Sequence, residues 1–136
     1  MATIKSYTNI EQSKKLAEIL PLESADMYYF VADNLEKQEP NYAIRCGTPI
    51  VKTDIPCWSL AALVELMPKY IIDEYTSKGW LGMCLLYYSS WRWIVYYSNE
   101  DVDSPAMHEE KGETLLEAAY NMVCWLVEHG FIKKEV

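Results

Sequence analysis

Apolar and polar positions along this chain change their period several times, and each change marks an element. Residues 81–88 and 91–97 carry the strongest strand pattern, with Arg92 as their single charge. Aromatic and β-branched side chains of this kind fit a pleated surface. Both runs are apolar at odd and even positions alike, whereas a surface hairpin alternates wet and dry, so both faces are expected to need cover. Joined across Ser89-Ser90, the runs place Tyr88 opposite Trp91, Leu86 opposite Trp93 and Cys84 opposite Val95. Met83, Leu85 and Tyr87 then share the other face with Arg92, Ile94 and Tyr96. A turn longer by two residues leaves that division intact. Tyr70-Ile71-Ile72 supplies a further short strand.

Elsewhere the period is helical. Ile10, Ala17 and Leu20 form a stripe with Leu16 and Ile19 at its margins, opened by a capping box of Thr8 with Glu11 and ended by Pro21. Cys57-Trp58-Ser59 leads into a second helix with Ser59 as N-cap and Leu60, Leu63, Val64 and Met67 on one face. Glu65 is its only charge before Pro68, which predicts burial nearly all round. The third helix is the best marked. Thr114 and Glu117 form its capping box, and Leu115, Ala118, Ala119, Met122, Val123 and Leu126 its apolar face. Glu117, Asn121, Cys124 and Glu128 recur on the wet side. Gly130 stands where a left-handed residue closes a helix, and Phe131 and Ile132 fold back onto the core.

Two regions have weaker patterns. Between 22 and 56, Ser24-Ala25-Asp26-Met27-Tyr28-Tyr29-Phe30 suits either one helical turn or a buried loop. Residues 33–41 read as a surface loop, and 42–52 as a short strand interrupted by Gly47 and Pro49. Residues 98–113 hold six acidic residues and one lysine and read as a polar loop. Together these elements define an α+β fold in a single domain over 1–136. About three helices pack on a small antiparallel sheet, a meander of about three strands.

Composition narrows the function. Twenty acidic against twelve basic residues give a net charge of −8, which argues against direct nucleic-acid binding because a phosphate backbone needs clustered lysine and arginine. The first residues hold no apolar run of signal-peptide length and no later stretch is long enough to span a bilayer. A cytoplasmic protein with no membrane role is therefore expected. Cys46, Cys57, Cys84 and Cys124 lie far apart and form no zinc pattern, so they are expected to be buried free thiols.

Two stretches are familiar together: Pro56-Cys57-Trp58-Ser59-Leu60-Ala61-Ala62-Leu63 with Glu65-Leu66-Met67-Pro68, and Thr114-Leu115-Leu116-Glu117-Ala118-Ala119 with Met122-Val123-Cys124-Trp125-Leu126 and Glu128-His129-Gly130-Phe131-Ile132. Ile10-Glu11-Gln12-Ser13-Lys14-Lys15-Leu16 and Ala25-Asp26-Met27-Tyr28-Tyr29 fit the same pattern. The chain resembles a family of small uncharacterised proteins from gut Bacteroides genomes and their prophages, over most of its length apart from the middle loops. The resemblance implies a bacterial or prophage accessory protein and supplies no functional residues.

The usual chemical motifs are missing. Asp101-Val102-Asp103 opens like a calcium loop, but Pro105 and Ala106 stand where a ligand and a glycine belong. His108-Glu109 lacks the second histidine of a zinc helix, and His129 suits the carbonyl end of the last helix better than catalysis. No phosphate loop or nucleophile elbow is present. Neither catalytic residue, metal site nor cofactor is expected, and an enzyme is the less favoured reading.

What stands out is the aromatic hairpin. Its rings are either ordinary core residues or, where three helices leave a sheet face open, a recognition surface. The candidate binding residues are Tyr87, Tyr88, Trp91, Arg92, Trp93, Tyr96 and Tyr97. The leading expectation is a non-enzymatic binding module for a protein partner, with self-association included. The alternatives are a small-molecule or enzymatic pocket between helix and sheet, built around Arg92 and nearby tyrosines, and an acidic phage-type inhibitor that mimics nucleic acid.

Overall fold

Helix α1 (Ile10–Ile19) begins one residue later than the sequence pattern implies, because the core claims the residue expected to cap it. In the computed structural model, which describes residues 6–33, 41–73, 80–89, 91–98 and 108–133, Thr8 is fully buried. Its backbone N–H donates to Trp58 O and its carbonyl accepts the Tyr29 hydroxyl. Asn9 is the N-cap instead. Its side chain accepts from Gln12 N while the Gln12 side chain accepts from Asn9 N, a complete capping box. The buried stripe is correspondingly Ser13, Leu16 and Leu20, with Ile10, Ala17 and Ile19 at its flanks.

Backbone contacts divide the chain into two compact units, 1–63 with 134–136 and 64–133. In the first, a 3₁₀ turn (Leu22–Ser24) leads into strand β1 (Met27–Asp33), which pairs antiparallel with β2 (Asn41–Cys46) on one side and β3 (Ile55–Cys57) on the other. The helical turn or buried loop expected at 24–30 is therefore mostly strand. Adjacent Tyr28 and Tyr29 are both buried, so β1 is covered on both faces and shows no alternation to read. Tyr29 packs with Ile55 and Cys57, and α1 lies against β3. The strand expected in 42–52 is β2, which stops before Gly47 (φ +122). Residues 34–40, expected as loop, lie outside the described residues.

Trp58 is fully buried, with Nε1 donating to Ser24 Oγ at 2.9 Å. Ser59 caps α2 (Leu60–Leu66) by accepting from Ala62 N, and Asp26 accepts from Ser59 N at 2.9 Å. This helix has one buried side. Leu63 is fully buried whereas Ala61, Val64 and Glu65 are exposed, which corrects the expectation of burial all round. A low charge count hid the wet face, because alanine and valine occupy part of it.

The second unit is a four-stranded antiparallel meander: β4 (Tyr70–Asp73), β5 (Trp80–Ser89), β6 (Arg92–Ser98) and β7 (His108–Gly112). The expected hairpin is present with its register displaced by two. Ser89 pairs with Arg92, Tyr88 with Trp93 and Leu86 with Val95. A shift of two preserves the faces, so Arg92, Ile94 and Tyr96 remain on the side of Tyr87 and Leu85. Strand β7 was expected to be loop. Its outward positions, Glu109 and Lys111, carry charge, and its inward positions are His108, Glu110 and Gly112, so no apolar alternation announces it.

Helix α3 (Leu115–Glu128) covers the face of β6 and β7 that carries Val95 and Tyr97. Its predicted apolar face is buried except for Leu115, which is half-buried, and Leu116 and Val127 join it. Thr114 Oγ1 accepts from Glu117 N, but the Glu117 carboxylate reaches Glu113 N rather than Thr114 N, so half of the expected box forms. Gly130 closes the helix at φ +81, and Ile132 N returns to Leu126 O. The α+β class, with three α-helices and antiparallel sheets among the described residues, is as the sequence indicates.

Candidate functional site

The hairpin tip combines an unusual backbone with an unusual exposure. Pairing of Ser89 with Arg92 leaves two residues for the turn, and Trp91 occupies the second at φ +67. Positive φ suits hairpin turns, but glycine or asparagine normally supplies it, since a Cβ crowds the backbone there. Trp91 is also 86% exposed, the largest exposure of a big apolar side chain among the described residues. A bulky ring in a strained backbone region and out in solvent satisfies neither packing nor turn chemistry. Residues held in such backbone regions cluster at functional sites. Arg92 follows it, exposed and with no ion-pair partner among the described residues.

The other candidates are placed differently. Ile94 and Val95, on opposite faces of β6, are both buried, so the sheet is covered on both sides at that level. Tyr97 is fully buried and its hydroxyl donates to Pro68 O at 2.6 Å, which makes it a core anchor. Trp93 and Tyr96 are half-buried. Tyr87 and Tyr88 pair with Ile94 and Trp93, but their side chains lie outside the described residues. The structure thus brings Trp91 and Arg92 together at the tip and sets Tyr97 apart from them.

Beside the tip, Arg92, Lys111, Gly112, Glu113 and Glu117 line an open cleft of about 410 Å³ between the sheet and the start of α3. Among the described residues no tyrosine lines it. Gly112 is buried, and a Cβ there would stand 2.6 Å from Ala118 N and 2.8 Å from Glu117 Cβ. Only glycine lets α3 start so close to β7. The sequence pattern singled out Arg92 but not Gly112, whose role depends on a contact across two elements.

A second aromatic group closes the far end of α3. The His108 ring stacks on Trp125 at 3.8 Å and 8°, His129 on Trp125 at 4.4 Å, and Phe131 on Trp125 at 5.6 Å. His108 Nε2 is buried without a hydrogen-bond partner among the described residues and lies 3.6 Å from Glu110 Oε2. Burial lowers the His108 pKa, and Glu110 opposes the shift only in part. The solvated-loop expectation for His108 is thereby corrected: the ring is half-buried in a strand. His129 Nδ1 lies 2.9 Å from Trp125 O at the helix end, where a histidine was expected.

In the first unit, the buried thiol is held in its neutral form. Cys57 is fully buried, with Sγ 3.4 Å from Thr8 O, and burial raises its pKa, so it stays a thiol. Burial likewise raises the Tyr29 pKa, and the neutral hydroxyl serves as a donor to Thr8. Cys46 is exposed, contrary to the expectation of buried thiols, because it sits at the end of β2. The Cys84 side chain lies outside the described residues. No group of three or more metal-ligating side chains occurs among the described residues, and no helix of theirs is long and apolar enough to cross a membrane.

Comparison with known protein families, characterised proteins and solved structures gives no match to this chain.

Proposed function

We propose that this chain is a non-enzymatic binding module that presents Trp91, with Arg92 beside it, to a protein partner or a second copy of itself. One observation carries the reading: a tryptophan 86% exposed and held at φ +67 on a hairpin tip. Tryptophan and arginine are the residues that most often dominate binding energy at protein interfaces, because each combines a broad apolar surface with hydrogen-bonding capacity. A tight hairpin also presents the ring on ordered backbone, which lowers the entropic cost of association. The resemblance to small Bacteroides and prophage proteins fits an accessory role in a bacterial cytoplasm. The seven-residue patch named from sequence contracts in this reading to its tip, with Trp93 and Tyr96 as flanks.

Affinity capture from lysate of the source organism, with wild type and Trp91→Asn as baits, tests the proposal. Proteins retained by wild type and released by the variant, an untagged copy of the chain included, support it. Identical retention on both baits at equal thermal stability overturns it.

A further inference from the structure

The cleft beside the hairpin contains two charges that the fold leaves open. Of the four charged residues that line it among those described, Lys111 already faces Glu109 at 3.4 Å, and Glu117 accepts a hydrogen bond from Glu113 N at 3.3 Å. The Arg92 guanidinium and the Glu113 carboxylate have no side-chain partner among the described residues, and no ion pair joins them to each other. One cation and one anion therefore line the same cleft without neutralising each other.

The start of α3 does not itself provide an anion site here. Two of its early backbone donors are already taken, since Glu117 N bonds Thr114 Oγ1 and Ala118 N bonds Thr114 O. Two carboxylates in the lining repel a phosphate or any other multiply charged anion, and two cations repel a polyamine. A ligand carrying one charge of each sign meets complementary groups at both ends. At about 410 Å³ the cleft falls within the size range of small-molecule sites.

We propose that this cleft binds a small zwitterion, its carboxylate on the Arg92 fork and its ammonium on Glu113, with Lys111 and Glu117 reinforcing each end. Arginine favours the carboxylate end because its planar fork donates two parallel hydrogen bonds. The lining is charged and open, so affinity is of about millimolar order. This inference does not depend on the role given to Trp91.

Titration of the ¹⁵N-labelled full chain at low ionic strength tests it by backbone amide shifts. The probes are glycine, β-alanine, γ-aminobutyrate and 6-aminohexanoate, with acetate and ethylammonium as single-charge controls. The expected result is saturable shifts at Arg92 and residues 111–117 for at least one amino acid. Each control should bind about tenfold or more weakly, and Arg92→Gln and Glu113→Gln should each lose about tenfold in affinity. Glu18→Gln, on α1, should titrate like wild type. Arg92 and Glu113 are exposed, so both variants should keep the wild-type amide spectrum elsewhere. Absence of saturation for every probe, equal binding of acetate, or unchanged affinity in Arg92→Gln would overturn the proposal.

Discussion

Replacing Gly112 with alanine tests whether α3 begins as close to β7 as the cleft requires. The added carbon would lie 2.6 Å from Ala118 N, 2.8 Å from Glu117 Cβ and 3.0 Å from Glu117 C, all inside the 3.4 Å where ordinary contact begins. Two of those atoms are helix backbone and cannot rotate away. Overpacking of this kind costs about 1–3 kcal/mol. Alanine also restricts the unfolded chain, which offsets about 0.4–1 kcal/mol where the backbone suits it. The net expectation is a loss of about 1–2 kcal/mol, a sizeable part of the 5–15 kcal/mol typical of a domain. Urea denaturation should show a lower midpoint with an unchanged slope. Gly130→Ala provides the contrast, since nothing lies within 4 Å of its added carbon and only its φ of +81 opposes the change. Asparagine, which tolerates that region, should restore stability at 130 and fail to do so at 112. Wild-type stability in Gly112→Ala would refute the close approach of helix and strand.

Other consequences follow from single contacts. Thr8→Val keeps the shape but removes the hydroxyl that meets Ser13 Oγ at 2.7 Å and Trp58 N at 3.2 Å, and should cost about 1–3 kcal/mol by chemical denaturation. Trp91→Asn should change stability by less than about 0.5 kcal/mol. So little of the ring is hidden that its burial contributes about 1 kcal/mol, and relief of the left-handed strain offsets it. A buried tryptophan truncated in the same way would cost about 3–5 kcal/mol. The contribution of His108 should be fully present above pH 6.5, its ordinary pKa, and decline as pH falls through its lowered folded-state value, because the unfolded chain takes up the proton first. Glu110 and Glu109 oppose that shift and His129 adds to it. Comparing the stability of wild type and His108→Phe from about pH 7.5 to about pH 5 should reveal a wild-type loss that the variant lacks.

The sequence disclosed elements wherever a local rule fixed them. Thr114 and Gly130 mark α3 because caps act within one turn, and the long apolar runs mark β5 and β6. The face division of the hairpin survived a register shift of two because side chains alternate with period two. What stayed hidden depended on distant partners. Tyr28 and Tyr29 became strand residues through β2 and β3, and Thr8 left its capping role for contacts with Trp58 and Tyr29. Strand β7 was obscured by its histidine and glycine, which face inward because Trp125 and α3 receive them. For the candidate site, the excess of rings was readable but its resolution was not. Burial of Tyr97 and exposure of Trp91 were decided by the turn, whose second residue is Trp91 rather than Ser90.

Site-specific photo-crosslinking in cells of the source organism tests the recognition role most directly. A photoreactive phenylalanine analogue would replace Trp91 in one version and exposed Glu18 on α1 in another. The account predicts a discrete crosslinked species from position 91, to another protein or to a second copy, and none from position 18. No crosslink from position 91, or the same products from both positions, would contradict it.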